Sequence, residues 1–120
     1  MADTKKFQSL LCFDLTATIP VDTSTSEAID LAGTCLVGVI LPSTFDGTAF
    51  TLTGSDSSAG TYVAIIDKAG NAVGGTSVAA SKYVLLDPKD VVGFRFVKIV
   101  STTTQTTTST VIKLVTRPLA

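Results

Sequence analysis

Apolar residues occur along this chain in short runs, and clusters of Gly, Pro, Asp, Asn and Ser separate the runs. Within many runs apolar and hydroxyl side chains alternate with a period of two, as they do from Phe50 to Gly54. That alternation is typical of a β-strand with one buried face. Short strands at regular intervals, with turn residues between them, predict an all-β sandwich or barrel.

The pattern predicts about eight or nine strands and no helix of normal length. The predicted strands span residues 10–19, 27–31, 35–41, 50–54, 61–67, 73–78, 82–87, 94–100 and 110–116. Because most connections between them are short, neighbouring strands are expected to pair antiparallel. The predicted fold is therefore an all-β, antiparallel two-sheet sandwich of jelly-roll type.

Three segments carry more specific expectations. The almost continuously apolar run Cys35–Leu41 predicts a central strand covered on both faces. Asp87, Pro88 and the later Gly93 predict one helical turn, with Asp87 as the N-cap. The Thr-rich tract 102–108 predicts the loop at the tip of a hairpin, although a strand extension or a disordered linker would also fit the composition.

With 120 residues, the chain fits one domain. We expect residues 1–13 to form an N-terminal arm or an edge strand, and residues 14–120 to form a single β-sandwich domain. A domain of this length has a radius of gyration of roughly 14 Å.

The surface is expected to carry few charges. Charged residues make up 16% of the chain and the net charge is −1, against a usual charged share of about 25%. Nothing in this balance attracts nucleic acid or an anionic membrane. A hydroxyl-rich surface fits permanent contact with other protein, because little charge has to be desolvated. An ordinary Thr-rich sandwich surface explains the composition equally well.

No targeting segment is expected. The N-terminal apolar stretch is interrupted at Asp14, which leaves it too short for a signal peptide. No run reaches the ~18 to 20 apolar residues of a membrane span. We therefore expect the protein to be made and folded in a cytoplasm.

The chain lacks the residues of common active sites. It contains no His and a single Glu, so the usual general bases and catalytic triads are missing, and we expect no enzymatic activity. Two Cys without His are too few for zinc, and Cys12 and Cys35 are expected to be buried free thiols, with a disulfide as the alternative. Asp46, Asp56 and Asp87 are the candidate ligands for calcium, but turn and capping roles explain them. No metal or cofactor is predicted.

The alternation places most aromatic side chains in the core. Tyr62, Tyr83, Phe94 and Phe96 are expected there. If these rings were exposed instead, they could stack on a sugar.

Six strings between Ala28 and Leu119 occur in an order that resembles small virion proteins of tailed bacteriophages. The strings are Ala28-Ile29-Asp30-Leu31, Leu36-Val37-Gly38-Val39-Ile40-Leu41-Pro42, Phe50-Thr51-Leu52-Thr53-Gly54-Ser55-Asp56, Tyr83-Val84-Leu85-Leu86-Asp87-Pro88, Gly93-Phe94-Arg95-Phe96-Val97-Lys98-Ile99 and Leu114-Val115-Thr116-Arg117-Pro118-Leu119. The order, with its strand Arg95–Ile99, also resembles a discoidin-like jelly roll, a family that binds sugars or lipids through loops at one end.

The phage resemblance implies a head decoration protein, or a related accessory subunit of the virion, without catalytic residues. The implied partners are the major capsid protein and further copies of the chain, with a trimer favoured, on the surface of the phage head. Two alternatives stay open: a tail or neck accessory protein, and a carbohydrate-binding module for host-surface glycans. The candidate contact residues lie in the N-terminal arm and in the Thr-rich tract: Lys5, Lys6, Phe7, Leu10, Thr103, Thr104, Gln105, Thr106 and Thr107.

Overall fold

The computed structural model describes residues 15–31, 34–91 and 94–118, and ten β-strands form within them. The strands are β1 (Leu15–Ile19), β2 (Thr23–Thr25), β3 (Ile29–Asp30), β4 (Thr34–Ile40), β5 (Phe50–Ser55), β6 (Val63–Ala64), β7 (Gly74–Gly75), β8 (Tyr83–Leu85), β9 (Phe96–Gln105) and β10 (Thr110–Pro118). A 3-10 turn at Pro88–Asp90 follows β8. The predicted N-terminal arm, residues 1–13, lies outside the described residues.

The strands form two antiparallel sheets with jelly-roll connectivity. A four-stranded sheet has the order β1-β10-β4-β8, and a six-stranded sheet has the order β2-β9-β5-β6, with β3 also on β9 and β7 also on β5. The short strands β2 and β3 share one position beside β9, and β6 and β7 share one beside β5. Each sheet therefore has four positions, and the chain passes between the sheets in the sequence of an eight-position jelly roll. The predicted fold class is confirmed.

The two sheets enclose one apolar core. Alternate residues of each strand point inward, as the period of two requires. The four-stranded sheet contributes Ala17, Ile19, Leu36, Val39, Ile112 and Leu114, and the six-stranded sheet contributes Ile29, Phe50, Leu52, Val97 and Ile99. The radius of gyration is 14.4 Å, which agrees with the size expected for a single domain.

Strand β4 is central in its sheet, as its apolar run predicts, but the expected cover on both faces is incomplete, since Ile40 on the outward side is 37% exposed. It pairs with β10 on one side and β8 on the other, and most of its side chains are buried. The register shifts beside Val115 and Thr116, where Gly38 and Leu36 are the partners and Val37 is the extra residue of a β-bulge. Thr34 and Cys35 pair with the end of β10 beyond this bulge.

The helical turn after β8 forms as its sequence predicts. Asp87 is the N-cap, its side chain accepts a hydrogen bond from the Lys89 N–H, and Pro88 takes the first position. Proline fits there because its missing N–H would have no partner within the turn.

Several predicted strand bounds were wrong. Residues 27–31, 61–67 and 73–78 contain strands of only two residues each, β3, β6 and β7, while Thr23–Thr25 forms a strand that lies outside the predicted ones. At Leu52 the partner of β5 changes, because the Leu52 carbonyl accepts the Ile65 N–H while the Leu52 N–H donates to Val73, so residues 66–72 leave the sheet as a hairpin. This leaves Ile66 exposed and outside the core.

The Thr-rich tract is mainly a strand extension. Strand β9 continues through Gln105, and only residues 106–109 form the hairpin tip. The loop prediction was therefore wrong for 102–105. The buried amide of Gln105 anchors this end of the strand through the contacts described below.

None of the four aromatic residues expected in the core is fully buried, although Phe94 packs against the core. Tyr83 is exposed, and Tyr62, Phe94 and Phe96 are partly buried. The buried face of β9 is Val97, Ile99 and Ser101, so the period of two turns Phe96 outward. There Phe96 lies 5.0 Å from the Arg95 guanidinium, and the Tyr62 ring lies 4.3 Å from the Lys98 ammonium.

Candidate protein-binding surface

The outward side of the four-stranded sheet carries the largest group of exposed apolar side chains. We call this side the outer face. Because residues on one side of an antiparallel sheet sit opposite one another across the strands, the register defines its rows. Lys113, Ile40 and Tyr83 form one row, and Val115, Gly38 and Leu85 form the next. Val111 extends the face along β10.

These side chains are accessible to a partner. Ile40 is 37% exposed, Tyr83 46%, Leu85 79% and Val111 49%. They are four of the seven large apolar residues that are exposed in the described part of the chain; the other three are Val21, Val63 and Ile66. A single exposed apolar side chain is ordinary, but neighbouring ones on a flat sheet are typical of a protein-binding site.

A glycine lets the Tyr83 ring lie against the sheet. A Cβ atom at Gly38 would stand 2.6 to 2.7 Å from the ring atoms of Tyr83. The ring therefore occupies the space that a side chain at position 38 would fill. Tyr83 consequently forms part of a continuous surface with Ile40 and does not project alone from it.

One end of the outer face is closed by the 3-10 turn. The Cys35 Sγ donates to the Pro88 carbonyl oxygen at 3.4 Å, and Cys35 is a buried free thiol in the described structure. Burial raises the pKa of this thiol, so it stays protonated near neutral pH. The expectation of a buried thiol is confirmed for Cys35, while Cys12 lies outside the described residues.

A polar cluster joins the loop after β4 to the β9–β10 hairpin, and Gln105 is its centre. The Gln105 side chain is 0% exposed. Its Oε1 accepts from the Asp46 N–H at 2.9 Å and from Thr110 Oγ1 at 2.8 Å. Its Nε2 donates to the Asp46 carbonyl at 2.8 Å, and also to Thr103 O and Ser101 Oγ.

The Asp46 carboxylate fastens the hairpin tip to this cluster. It accepts the Thr106 N–H at 2.9 Å, the Thr107 N–H at 3.2 Å and the Thr107 hydroxyl at 3.2 Å. The backbone N–H groups of Thr106 and Thr107 hold the pKa of Asp46 below its ordinary value. The cluster is therefore a structural clasp between two loops.

The structure separates the predicted contact residues. Thr103, Thr104, Thr106 and Thr107 are exposed at the end of the β9–β10 hairpin, away from the apolar rows. Gln105 was wrongly included, because its buried side chain cannot reach a partner. Lys5, Lys6, Phe7 and Leu10 lie outside the described residues.

A groove runs along the open side of the sandwich, between β8 and the β6–β7 hairpin. It consists of two adjoining hollows of about 240 and 330 Å³ that share Asp67 and Asp90. Leu85 and Asp87 line the first hollow, and Lys89 lines the second. The Asp87 carboxylate pairs with the Lys89 ammonium, whose hydrogen bond lowers the pKa of Asp87.

The three carboxylates considered for calcium are not gathered in one place. Asp46 and Asp87 are engaged by the hydrogen bonds given above, in different loops, and Asp56 lies in the turn after β5. Within residues 15–31, 34–91 and 94–118, no three His, Cys, Asp or Glu side chains form a group suited to a metal ion.

Sequence reasoning did not identify the outer face. Tyr83, Leu85, Ile40 and Val111 each belong to an apolar run, and such runs predict burial. The missing information was the strand order, which places β8 at an edge of its sheet, with Tyr83 and Leu85 exposed on its outward side. The isolated Lys113 within the last apolar run was the available signal, since it marks the solvent side of β10.

The chain matches no known family model, no curated protein and no solved structure. In the part of the chain that the structure describes, no helix has the length and apolar character needed to cross a membrane.

Proposed function

We propose that this chain is a non-enzymatic structural protein of a phage virion. In this proposal it is a decoration subunit that docks on the capsid shell through its outer face. The observation that supports the proposal is the set of apolar side chains on that face in a chain with few charges. The resemblance of the ordered sequence strings to small phage virion proteins is the reason for choosing a capsid as the partner.

Docking on the outer face gains free energy from apolar burial. Complete burial of a fully exposed side chain of this size contributes roughly 1.5–3 kcal/mol, so Leu85, which is 79% exposed, can supply most of that amount and Ile40, which is 37% exposed, only part of it. The outward side of a sheet suits a shell of repeating subunits more than it suits a small ligand, because small ligands bind in concave sites. Contacts at several points of a shell raise the effective affinity even when each contact is weak.

The partners in this proposal are the major capsid protein and neighbouring copies of the chain on the head surface. Four exposed threonines are available for contacts between copies: Thr103 and Thr104 at the end of β9, and Thr106 and Thr107 in the hairpin tip. Their hydroxyl groups can form hydrogen bonds without the cost of desolvating a charge.

The glycan-binding alternative requires several exposed rings at one loop end. Among the described aromatic residues Tyr83 alone is exposed, and it lies on a sheet against Gly38. This observation favours docking to protein over stacking on sugars.

Co-sedimentation with purified phage heads that lack this protein tests the proposal. The unmodified chain is expected to pellet with the heads, and a variant carrying both Ile40→Asp and Val111→Asp is expected to stay in the supernatant. Both positions are exposed, so the variant should keep its fold, as circular dichroism can verify. The matched control is Val63→Asp, which changes a 53% exposed side chain of the other sheet. Equal binding by all three proteins, or no binding by any, would contradict the proposal.

A further inference from the structure

In the described part of the chain, strand β8 is an edge of the four-stranded sheet, with β4 as its one partner. The Lys82 carbonyl oxygen accepts a hydrogen bond from the Leu41 N–H, and the Leu86 N–H donates to the Val37 carbonyl oxygen. Residues 82, 84 and 86 therefore direct their backbone groups toward β4. In an antiparallel pair the intervening residues direct theirs the opposite way. The N–H and C=O groups of Tyr83 and Leu85 therefore face outward from the sheet.

At the opposite edge of the same sheet, formed by β1, a charged side chain occupies a backbone N–H. On β1 the Thr18 N–H donates to the carboxylate of Glu27 at 2.8 Å, and Glu27 is the only glutamate of the chain. A charged side chain on an edge N–H keeps another strand from pairing there. Strand β8 instead carries Tyr83 and Leu85, and Leu85 is the most exposed large apolar residue in the described structure.

We propose that β8 pairs antiparallel with β8 of a second copy of this chain, across a two-fold axis. With Tyr83 of one copy opposite Leu85 of the other, the outward backbone groups of both residues meet their counterparts. A two-fold interface uses the same patch on both copies, so it needs a self-complementary strand. The pairing also covers part of the Leu85 side chain.

The charges around β8 are complementary under this pairing. Lys82 precedes the strand and Asp87 follows it, so antiparallel alignment brings Lys82 of each copy to the Asp87 end of the other. Lys82 shares its side of the strand with Leu86, which lines the groove beside β8 together with Asp87 and Asp90. Lys82 of the second copy therefore faces a groove that holds carboxylates.

The pair would join two four-stranded sheets into one and place two outer faces side by side. Two linked faces bind a repeating shell more strongly than one face does. The pairing itself rests on the edge geometry and charges, so it goes beyond the proposed docking function and can fail independently of it. It also gives a dimer where the phage resemblance favours a trimer.

Sedimentation equilibrium over a range of protein concentrations tests the pairing. The unmodified chain is expected to form a reversible dimer, and Leu85→Lys is expected to raise the dissociation constant about tenfold, because a lysine on an edge strand disfavours strand pairing and the two Leu85–Tyr83 contacts across the pair would be lost. Val63→Lys, at the edge of the other sheet, is the matched control and should leave the dimer unchanged. A monomer at all concentrations, a trimer, or dimers unaffected by Leu85→Lys would overturn the proposal.

A charge exchange provides a second test that does not depend on Leu85. Lys82→Glu and Asp90→Lys should each weaken the dimer several-fold, and the double variant should recover most of the loss. Additive weakening in the double variant would contradict the placement of Lys82 in the partner's groove. Hydrogen exchange adds a readout on the unmodified protein, since the Tyr83 and Leu85 amides should lose protection on dilution. Equal exchange of these amides at all concentrations would overturn the pairing.

Discussion

Gln105 shows how one polar side chain can organise the end of a sandwich. Its amide satisfies the backbone N–H and C=O of Asp46 and the hydroxyl of Thr110, three groups that would otherwise lose water without a replacement. Buried polar groups without partners are costly, so this position tolerates little change. The sequence around it is a run of threonines, which gives no sign that Gln105 points inward.

Replacement of Gln105 by Leu should destabilise the fold by about 2–4 kcal/mol, because the Asp46 backbone groups and the Thr110 hydroxyl would lose their hydrogen bonds to the amide. Urea unfolding measures the change. The control Thr104→Val alters an exposed neighbour on the same strand and should shift the free energy of unfolding by less than about 0.5 kcal/mol. Equal effects of the two substitutions would show that the Gln105 contacts contribute no stability.

Asp46 makes the clasp dependent on pH. Its pKa is lower in the folded chain than in the unfolded chain, because the Thr106 and Thr107 N–H groups stabilise the carboxylate. The stabilisation is therefore complete above the unfolded value and is lost as the pH falls through the folded value. Asp46→Asn should melt at a lower temperature than the unmodified protein at pH 7, and the difference should disappear in strong acid. A difference that grows on acidification would contradict this assignment.

At the scale of elements, the sequence predicts strand existence better than strand length. The runs at β4, β5 and β10 are long and alternate or are continuously apolar, and each of them forms the predicted strand. The short strands β2, β3, β6 and β7 depend on the long strands they accompany. Their bounds follow from tertiary hydrogen bonds, such as the one from the Leu52 N–H to the Val73 carbonyl, and no local pattern reports these.

The same limit applies to the outer face. Composition indicates a surface poor in charge, but which apolar run stays uncovered depends on the strand order. Leu85 and Leu86 are adjacent and chemically identical, yet Leu85 is exposed and Leu86 is buried. Because successive side chains of a strand point to opposite faces, the register of β8 against β4 decides which of the two leucines is buried.

Strand β7 approaches β5 so closely that it requires glycine. At Gly74, with φ of +153°, a Cβ would lie 2.2 Å from the Phe50 carbonyl oxygen. Gly74→Ala should cost about 2–4 kcal/mol, through backbone strain and a steric clash that together open the β5–β7 pair. Gly70→Ala is the control, since Gly70 also has positive φ but open space around it, and it should cost only about 1–2 kcal/mol. Thermal unfolding of both variants gives the comparison, and a larger effect at Gly70 would be inconsistent with the close approach.

At the scale of the whole molecule, the two sheets present different side chains on their outward sides. The six-stranded sheet presents threonines, Lys98 and partly buried aromatic rings on its outward side, whereas the four-stranded sheet presents Ile40, Tyr83, Leu85 and Val111. The more apolar of the two outward sides is the one suited to lie against a larger assembly. The proposed β8 pairing would widen the apolar side and would cover only part of Leu85 at its edge.

The most direct measurement for this account is the number of copies of the chain per particle, by quantitative mass spectrometry of purified virions from the source that encodes it. A decoration subunit should be present in hundreds of copies, in fixed proportion to the major capsid protein. Labelling should place those copies on the head surface. A few copies confined to the tail, or no copies in the particle, would contradict the account.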